Sequence, residues 1–317
     1  MKIIELLLNS DKAAFSFEIL PPLKGNSFSK VCQIIDKLRE FDPKYINITT
    51  HHSENIYTDT GDGLMKKTNV RKRPGTVAIA AAIQHQYKIT AVPHVICKGF
   101  TKDETEYALI DLNFLGVHEL LLLRGDGNRL EKDQIGPGKS HEHTTGLIGQ
   151  VNNFNKGIAA DGTSFEKMET PFSYGVACYP EKHEEAPNMA SDIAFLKKKV
   201  EMGAEYAVTQ MFFDNEKYYA FVDTCRKEGI TVPIIPGIKP IVLRDQLSVL
   251  PRVFRTEIPE ALAIELRKCK TDEEAKQVGV EWAIAQCKEL IAKGTPSIHF
   301  YTLLATDSVR QIAKAIY

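Results

Sequence analysis

The chain has 317 residues, with 40 Lys and Arg against 41 Asp and Glu and a formal net charge of −1, so no strong overall field recommends nucleic acid or an anionic membrane as a partner. Its length allows one large core or two ordinary domains. No run reaches the roughly eighteen apolar residues of a membrane span, the N-terminus lacks the pattern of a secretion signal, and the six cysteines are scattered with no C-x-x-C pair, so a soluble cytoplasmic chain with reduced cysteines is expected.

In chain order, Met1 to Asn9 reads as a short amphipathic helix, and Ala13 to Pro22 (AAFSFEILPP) as a first strand that Pro21 and Pro22 terminate. Glu18 sits where that strand gives out. Ser27 to Phe41 places Val31, Ile34, Ile35 and Leu38 at helical spacing, and Tyr45 to Thr50 (YINITT) is a β-rich run. A weaker helix is expected over Thr60 to Val70. The third strand is Thr90 to Lys98, followed by a helix over Thr101 to Leu115 with acids in its first turn, and a fourth strand, Glu119 to Leu123 (ELLLL). Gly125 to Gly138 reads as a loop and Gly146 to Lys156 as a short helix. Three further strands are expected at Ser173 to Tyr179, Tyr206 to Phe212 and Val232 to Pro236, with helices at Met189 to Glu201 and Glu216 to Lys227 between them. Helices over Arg244 to Leu250, Pro259 to Lys268 and Asp272 to Lys293, a strand at Ile298 to Thr302 and a helix at Ser308 to Ile316 complete the chain.

Eight strands alternating with helices, in a chain modestly longer than the roughly 250 residues typical of such folds, point to an α/β (β/α)8 TIM barrel with an additional N-terminal helix. No compositional break divides it, so a single catalytic domain over residues 1–317 is expected. The rival is a doubly wound open sheet, but neither G-x-G-x-x-G after a strand nor a P-loop is present.

A barrel gathers the C-terminal ends of its strands at one mouth. That collects Glu18, Thr49, His51, His52, His94, Arg124, Asp126, Tyr179, Glu181, His183, Gln210, Lys239 and Tyr301. A metal centre is disfavoured, because adjacent histidines on an extended segment point opposite ways and no H-x-H lies on a strand. A serine or cysteine nucleophile lacks a G-x-S-x-G elbow, and Cys178 falls within an apolar strand. An acid, a second carboxylate beside an arginine, and aromatic and amide groups suit a large planar ligand.

The strings SFEILPP (16–22), PHVIC (93–97), LRGD (123–126), YPEKHEEA (179–186), VTQMFFD (208–214), IIPGIKP (234–240) and HFYTL (299–303) resemble the bacterial 5,10-methylenetetrahydrofolate reductases, flavoenzymes built on a (β/α)8 barrel. The resemblance implies that NADH or NADPH reduces bound FAD, with NADH preferred, and that the flavin then reduces 5,10-methylenetetrahydrofolate to 5-methyltetrahydrofolate in a ping-pong cycle. It makes Glu18 the general acid, and the Phe15, Phe17, Ile19 and Leu20 surroundings are expected to favour its protonated form. It makes Asp126 a second catalytic residue, placed near the flavin where its charge disfavours extra negative charge on the ring, biases the redox potential and supports folate binding. Thr49, His94, Arg124, Gly125, Ala177, Tyr179, His183, Asp192 and Lys199 match cofactor-binding positions, and Gln210, Gln246, Leu250, Tyr301 and Leu303 line the substrate face. The family's best-known members carry an aromatic where Leu250 stands; Thr50-His51-His52 replaces a tyrosine-glycine-alanine type of segment, and Ala305 stands where some carry arginine. A homo-oligomer without metal is expected. Another flavin-dependent barrel oxidoreductase, or a non-redox pterin-binding barrel enzyme such as a methyltransferase, stays open as an alternative.

Overall fold

The computed structural model describes residues 2–9, 12–125, 138–303 and 305–317. They form two compact units: Met1–Ile19, Gln33–Asn47 and Ser173–Tyr317 make the first, Leu20–Cys32 and Ile48–Phe172 the second. Elements of the first unit are α1 (Ile3–Asn9), β1 (Ala14–Ile19), most of α2 (Ser29–Leu38) and β2 (Tyr45–Ile48), then β7 (Ser173–Cys178), α6 (Met189–Glu201), β8 (Tyr206–Thr209), α7 (Asn215–Lys227), β9 (Ile234–Ile235), β10 (Gly237–Ile238), α8 (Gln246–Phe254), α9 (Glu260–Lys268), α10 (Asp272–Ala292), β11 (Ser297–Tyr301) and α11 (Thr306–Ile316). The second holds β3 (Glu54–Asp59), β4 (Met65–Val70), α3 (Thr76–Tyr87), β5 (Thr90–Ile96), α4 (Lys102–Phe114), β6 (Glu119–Leu123) and α5 (Thr144–Asn155).

The strand order is β10-β11-β1-β2-β5-β6-β7-β8-β9. This is chain order with the last strand returning beside the first, the topology of a (β/α)8 barrel. Pro236 splits the seventh barrel strand into two pieces, because proline cannot donate to a ladder. Its first piece, β9, pairs with β8 through Val208 and Ile235; its second, β10, pairs with β11 through Ile238 and Phe300. One five-residue stretch thus joins two strands that are far apart in sequence. Its register decides which side chains meet β11 at the strand ends.

Side-chain caps mark the starts of α4, α6, α7 and α10. Thr101 and Glu104 form a capping box at the head of α4, and Thr271 and Glu274 form another at α10. Gly279 of α10 lies against the Ile241 backbone, where a Cβ would come within 2.0 Å of the carbonyl oxygen, so this helix can dock there only with glycine.

The helix expected over Thr60 to Val70 is a correction. Residues 54–70 form an antiparallel hairpin, β3 on β4, with Glu54 opposite Val70 and Asp59 opposite Met65. Gly61 and Gly63 stand at φ +83° and +81° in the turn, and a helix cannot hold two left-handed residues. The helix itself lies further on, over Thr76–Tyr87, where Ile79, Ala80 and Ile83 are buried at helical spacing.

Candidate active site

β1 has two chemically different faces, because successive strand residues point to opposite sides. Phe15 and Phe17 share one face and build an aromatic cluster: the Phe15 ring lies 5.7 Å from Phe17, 5.7 Å from Phe41, 5.6 Å from Phe300 and 5.5 Å from Tyr317. Ser16 and Glu18 share the other face. This corrects the expectation that Phe15, Phe17 and Ile19 surround the Glu18 carboxyl, since they point away from it. Its own face is polar.

Register fixes the rungs of that face. Ser16 lies opposite His299, and Glu18 opposite Tyr301, across the β1–β11 ladder; Gly237 lies opposite His299, and Ile238 opposite Phe300, across β10–β11. The same step carried one residue further sets Lys239 beside Tyr301, so Glu18, Tyr301 and Lys239 follow one another on one rung. Below them, the Ser16 hydroxyl is 3.0 Å from His299 Nδ1, and the His299 ring stacks parallel to Tyr45 at 6.5 Å. Burial pushes the His299 imidazole down to about 3, so it is neutral at ordinary pH.

Glu18 is 6% exposed and Lys239 5%. Burial lowers the proton affinity of the Lys239 ammonium, and the Glu18 carboxylate acts against that. Burial first, and then the Glu18 charge, holds the Tyr301 hydroxyl well above its ordinary range. That hydroxyl donates to the Thr209 carbonyl at 2.6 Å, and the Thr209 hydroxyl accepts from Gly237 N–H at 2.9 Å. The next residue, Gln210, is half-buried; its side-chain oxygen accepts from the Met211 N–H at 2.9 Å.

The loop after β7 carries Tyr179 and His183, whose rings meet edge-on at 4.7 Å. His183 N–H donates to Asp192 at 2.8 Å, and Glu185 N–H donates to His183 Nδ1 at 3.2 Å. Lys182 turns back on the loop and donates to the Ala186 carbonyl at 2.6 Å. Glu181 latches it from outside, accepting from the Thr256 hydroxyl at 2.8 Å, Glu257 N–H at 3.0 Å and Lys217 at 2.9 Å. Lys199 donates to the Ala177 carbonyl at 2.7 Å, and burial lowers its proton affinity against the opposing effect of Cys178 and Asp192. Among the remaining positions expected to line the substrate face, Gln246 accepts from Val242 and Leu243 N–H at 2.8 and 3.2 Å, Leu250 belongs to a buried apolar cluster with Met211 and Ile241 against which Tyr301 packs, and Leu303 is half-buried.

In the second unit, His94 lines a cavity of about 340 Å³ together with Thr50, His51, Arg71, Thr76 and Tyr107. The Thr50 hydroxyl donates to the His94 carbonyl, and Thr49 is half-buried beside His51. Arg124 Nε donates to the Glu142 carbonyl at 3.1 Å. Gly125 adopts φ +87° with Ile96 packed close behind it. Asp126 lies outside the described residues. Gly237, Thr209 and His299 were not singled out from sequence as site residues; the G-I-K-P string after a proline-broken strand was the available signal.

The family model for methylenetetrahydrofolate reductase matches residues 3–317. The chain belongs to this family. A Caenorhabditis elegans protein described as a probable methylenetetrahydrofolate reductase (NADPH) is 31% identical over 317 residues, which cover 99% of this chain and 43% of that protein. The 5,10-methylenetetrahydrofolate reductase of Buchnera aphidicola subsp. Baizongia pistaciae is 31% identical over 307 residues, covering 96% and 92%. The chain therefore spans less than half of the worm protein and nearly all of the bacterial one. Among solved structures, an uncharacterized protein from Clostridium thermocellum that binds two copies of 5-methyl-5,6,7,8-tetrahydrofolic acid aligns with a TM-score of 0.59 and 16% identity over 98% of each chain. At that identity the likeness bears on the fold alone, and it agrees with the barrel topology.

Proposed function

We propose that this methylenetetrahydrofolate reductase family member reduces 5,10-methylenetetrahydrofolate to 5-methyltetrahydrofolate, with NADH as electron donor, bound FAD as carrier and Glu18 as general acid. The observation that carries the reading is Glu18 itself: a carboxyl 6% exposed, at the C-terminal end of a barrel strand, in a chain matched to the family along its length.

The chemistry assigns the proton. The substrate's methylene bridges N5 and N10, and the product keeps its methyl on N5, so the bond to N10 breaks and N10 must receive a proton. Glu18 supplies it, which leaves an electrophilic iminium carbon on N5. Tyr301 does not compete as the acid, because its hydroxyl is committed to the Thr209 carbonyl and its proton is held tightly. Its ring instead forms a wall beside Glu18.

FAD, when bound, accepts a hydride from the nicotinamide and delivers one to the folate carbon. The residues present suit such a group: the paired rings of Tyr179 and His183 offer an aromatic edge, and Asp192 and Lys199 hold the surrounding backbone in place. Thr49, His94, Arg124, Gly125 and Asp126 are assigned to the same cofactor on the family resemblance, and Gln210, Gln246, Leu250 and Leu303 to the folate and nicotinamide face. NADH is chosen over NADPH on the same resemblance. Anaerobic titration of the purified flavoprotein with NADH, followed by the folate, tests the reading.

A further inference from the structure

Lys239 makes no hydrogen bond or ion pair with any described residue, although it is only 5% exposed. Three partly buried lysines of this unit are engaged: Lys199 donates to the Ala177 carbonyl, Lys217 to Glu181 and Lys182 to the Ala186 carbonyl. An ammonium has three donors and no acceptor capacity, and a largely buried lysine with no hydrogen-bond acceptor among the described residues costs free energy that the fold must recover elsewhere. Its one described electrostatic partner is the Glu18 carboxylate.

The backbone explains why the side chain cannot retreat. Lys239 follows the β10 ladder directly, with Ile238 fixed opposite Phe300, and precedes Pro240. Alternation from Gly237, which lies opposite His299 on the polar face, sends Lys239 to that same face. The Tyr301 ring fills the space over Gly237, where a Cβ would come within 2.5 Å of it, so the lysine stem has no room to fold back along its own strand.

We infer that Lys239 is a substrate-binding residue: its ammonium donates to a carbonyl or carboxylate oxygen of the reduced folate while Glu18, on the same rung, faces the nitrogen to be protonated. The inference rests on the reading of Glu18 as the acid for that folate. A fixed donor and a fixed acid two strands apart orient a planar, oxygen-bearing heterocycle, which one contact alone cannot do. The nicotinamide half-reaction needs no acid at this rung, so the effect belongs to the folate step.

The test is rapid-mixing kinetics on FAD-loaded Lys239→Met, with each half-reaction followed through flavin absorbance. The methylenetetrahydrofolate concentration that half-saturates flavin reoxidation should rise roughly 10- to 100-fold, as expected for a lost charged hydrogen bond. Flavin reduction by NADH should change by no more than about threefold, and Lys239→Arg should recover part of the folate affinity. Because Lys239 has no hydrogen-bond or ion-pair partner among the described residues, the melting temperature of Lys239→Met should equal or exceed that of the unsubstituted protein. A variant that fails to fold or to load FAD would show that Lys239 is structural and would overturn the inference. So would unchanged half-saturation by the folate, or an equal loss in both half-reactions. If the unsubstituted protein never reoxidises with folate, the reading of Glu18 fails as well, and that outcome is distinct from the others.

Discussion

The Tyr301 hydroxyl donates a 2.6 Å hydrogen bond to the Thr209 carbonyl, and the ring reaches it by crossing directly over Gly237. A Cβ at position 237 would lie 2.5 Å from both Thr209 O and Tyr301 Cε2. Neither is the loose end of a flexible chain. Gly237→Ala is therefore expected to destabilise the protein by about 1–3 kcal/mol and to slow folate reduction by displacing Tyr301. Thermal unfolding together with the two flavin half-reactions checks this, and an alanine variant of unchanged melting temperature would show that the ring can move aside.

Glu18→Gln keeps size and hydrogen-bonding capacity but removes the proton to be donated. Flavin binding and reduction by NADH should survive within a few-fold, while reoxidation by methylenetetrahydrofolate should fall by at least about 100-fold, within the range of general acid catalysis. Loss of both half-reactions would mean that Glu18 holds the strand ends together instead.

The Glu181 latch should matter to cofactor retention more than to chemistry. Thr256→Val removes one donor and leaves Glu181 short of a bond in a largely buried place, at a cost of about 1–3 kcal/mol. Because the latch fixes the loop bearing Tyr179 and His183, flavin dissociation should quicken. Thr256→Ser restores the hydroxyl and should restore retention; equal flavin release from both variants would separate the latch from the cofactor loop.

His299 gives the protein an acid-sensitive core. Its folded value of about 3 lies below the ordinary 6.5, so the unfolded chain binds the proton first as pH falls. The contribution is complete above about pH 6.5 and is lost progressively down to about pH 3. Urea unfolding at pH 7, 5 and 4 should show this decline, and His299→Gln should flatten it. A parallel decline in both proteins would assign the acid lability to other groups.

The barrel topology is legible in the sequence because its strands are short apolar runs separated by helices. The hairpin at 54–70 is hidden in the sequence by a weak helical pattern, and the opposing signal is the pair Gly61 and Gly63, which take left-handed backbone in the turn. The site shows the deeper limit. Glu18 was visible as an acid at a strand end, but its neighbours in sequence are not its neighbours in space: Phe15 and Phe17 join an aromatic cluster on the opposite face, whereas Ser16 meets His299, 283 residues away. Lys239 can be placed at the strand ends from its position after IIPGI, yet its place on the Glu18 face depends on the register of β10 against β11, which composition and periodicity do not carry.

The central claim is that electrons pass from a nicotinamide through a flavin to methylenetetrahydrofolate on this chain. Its most direct test is the visible spectrum of the purified protein under anaerobic conditions, first with NADH and then with the folate. The expected result is an oxidised flavin spectrum that bleaches with NADH and returns on adding methylenetetrahydrofolate, with 5-methyltetrahydrofolate formed in equal amount to the flavin reoxidised. A flavin that NADH does not bleach, or a bleached flavin that the folate does not restore, would contradict it.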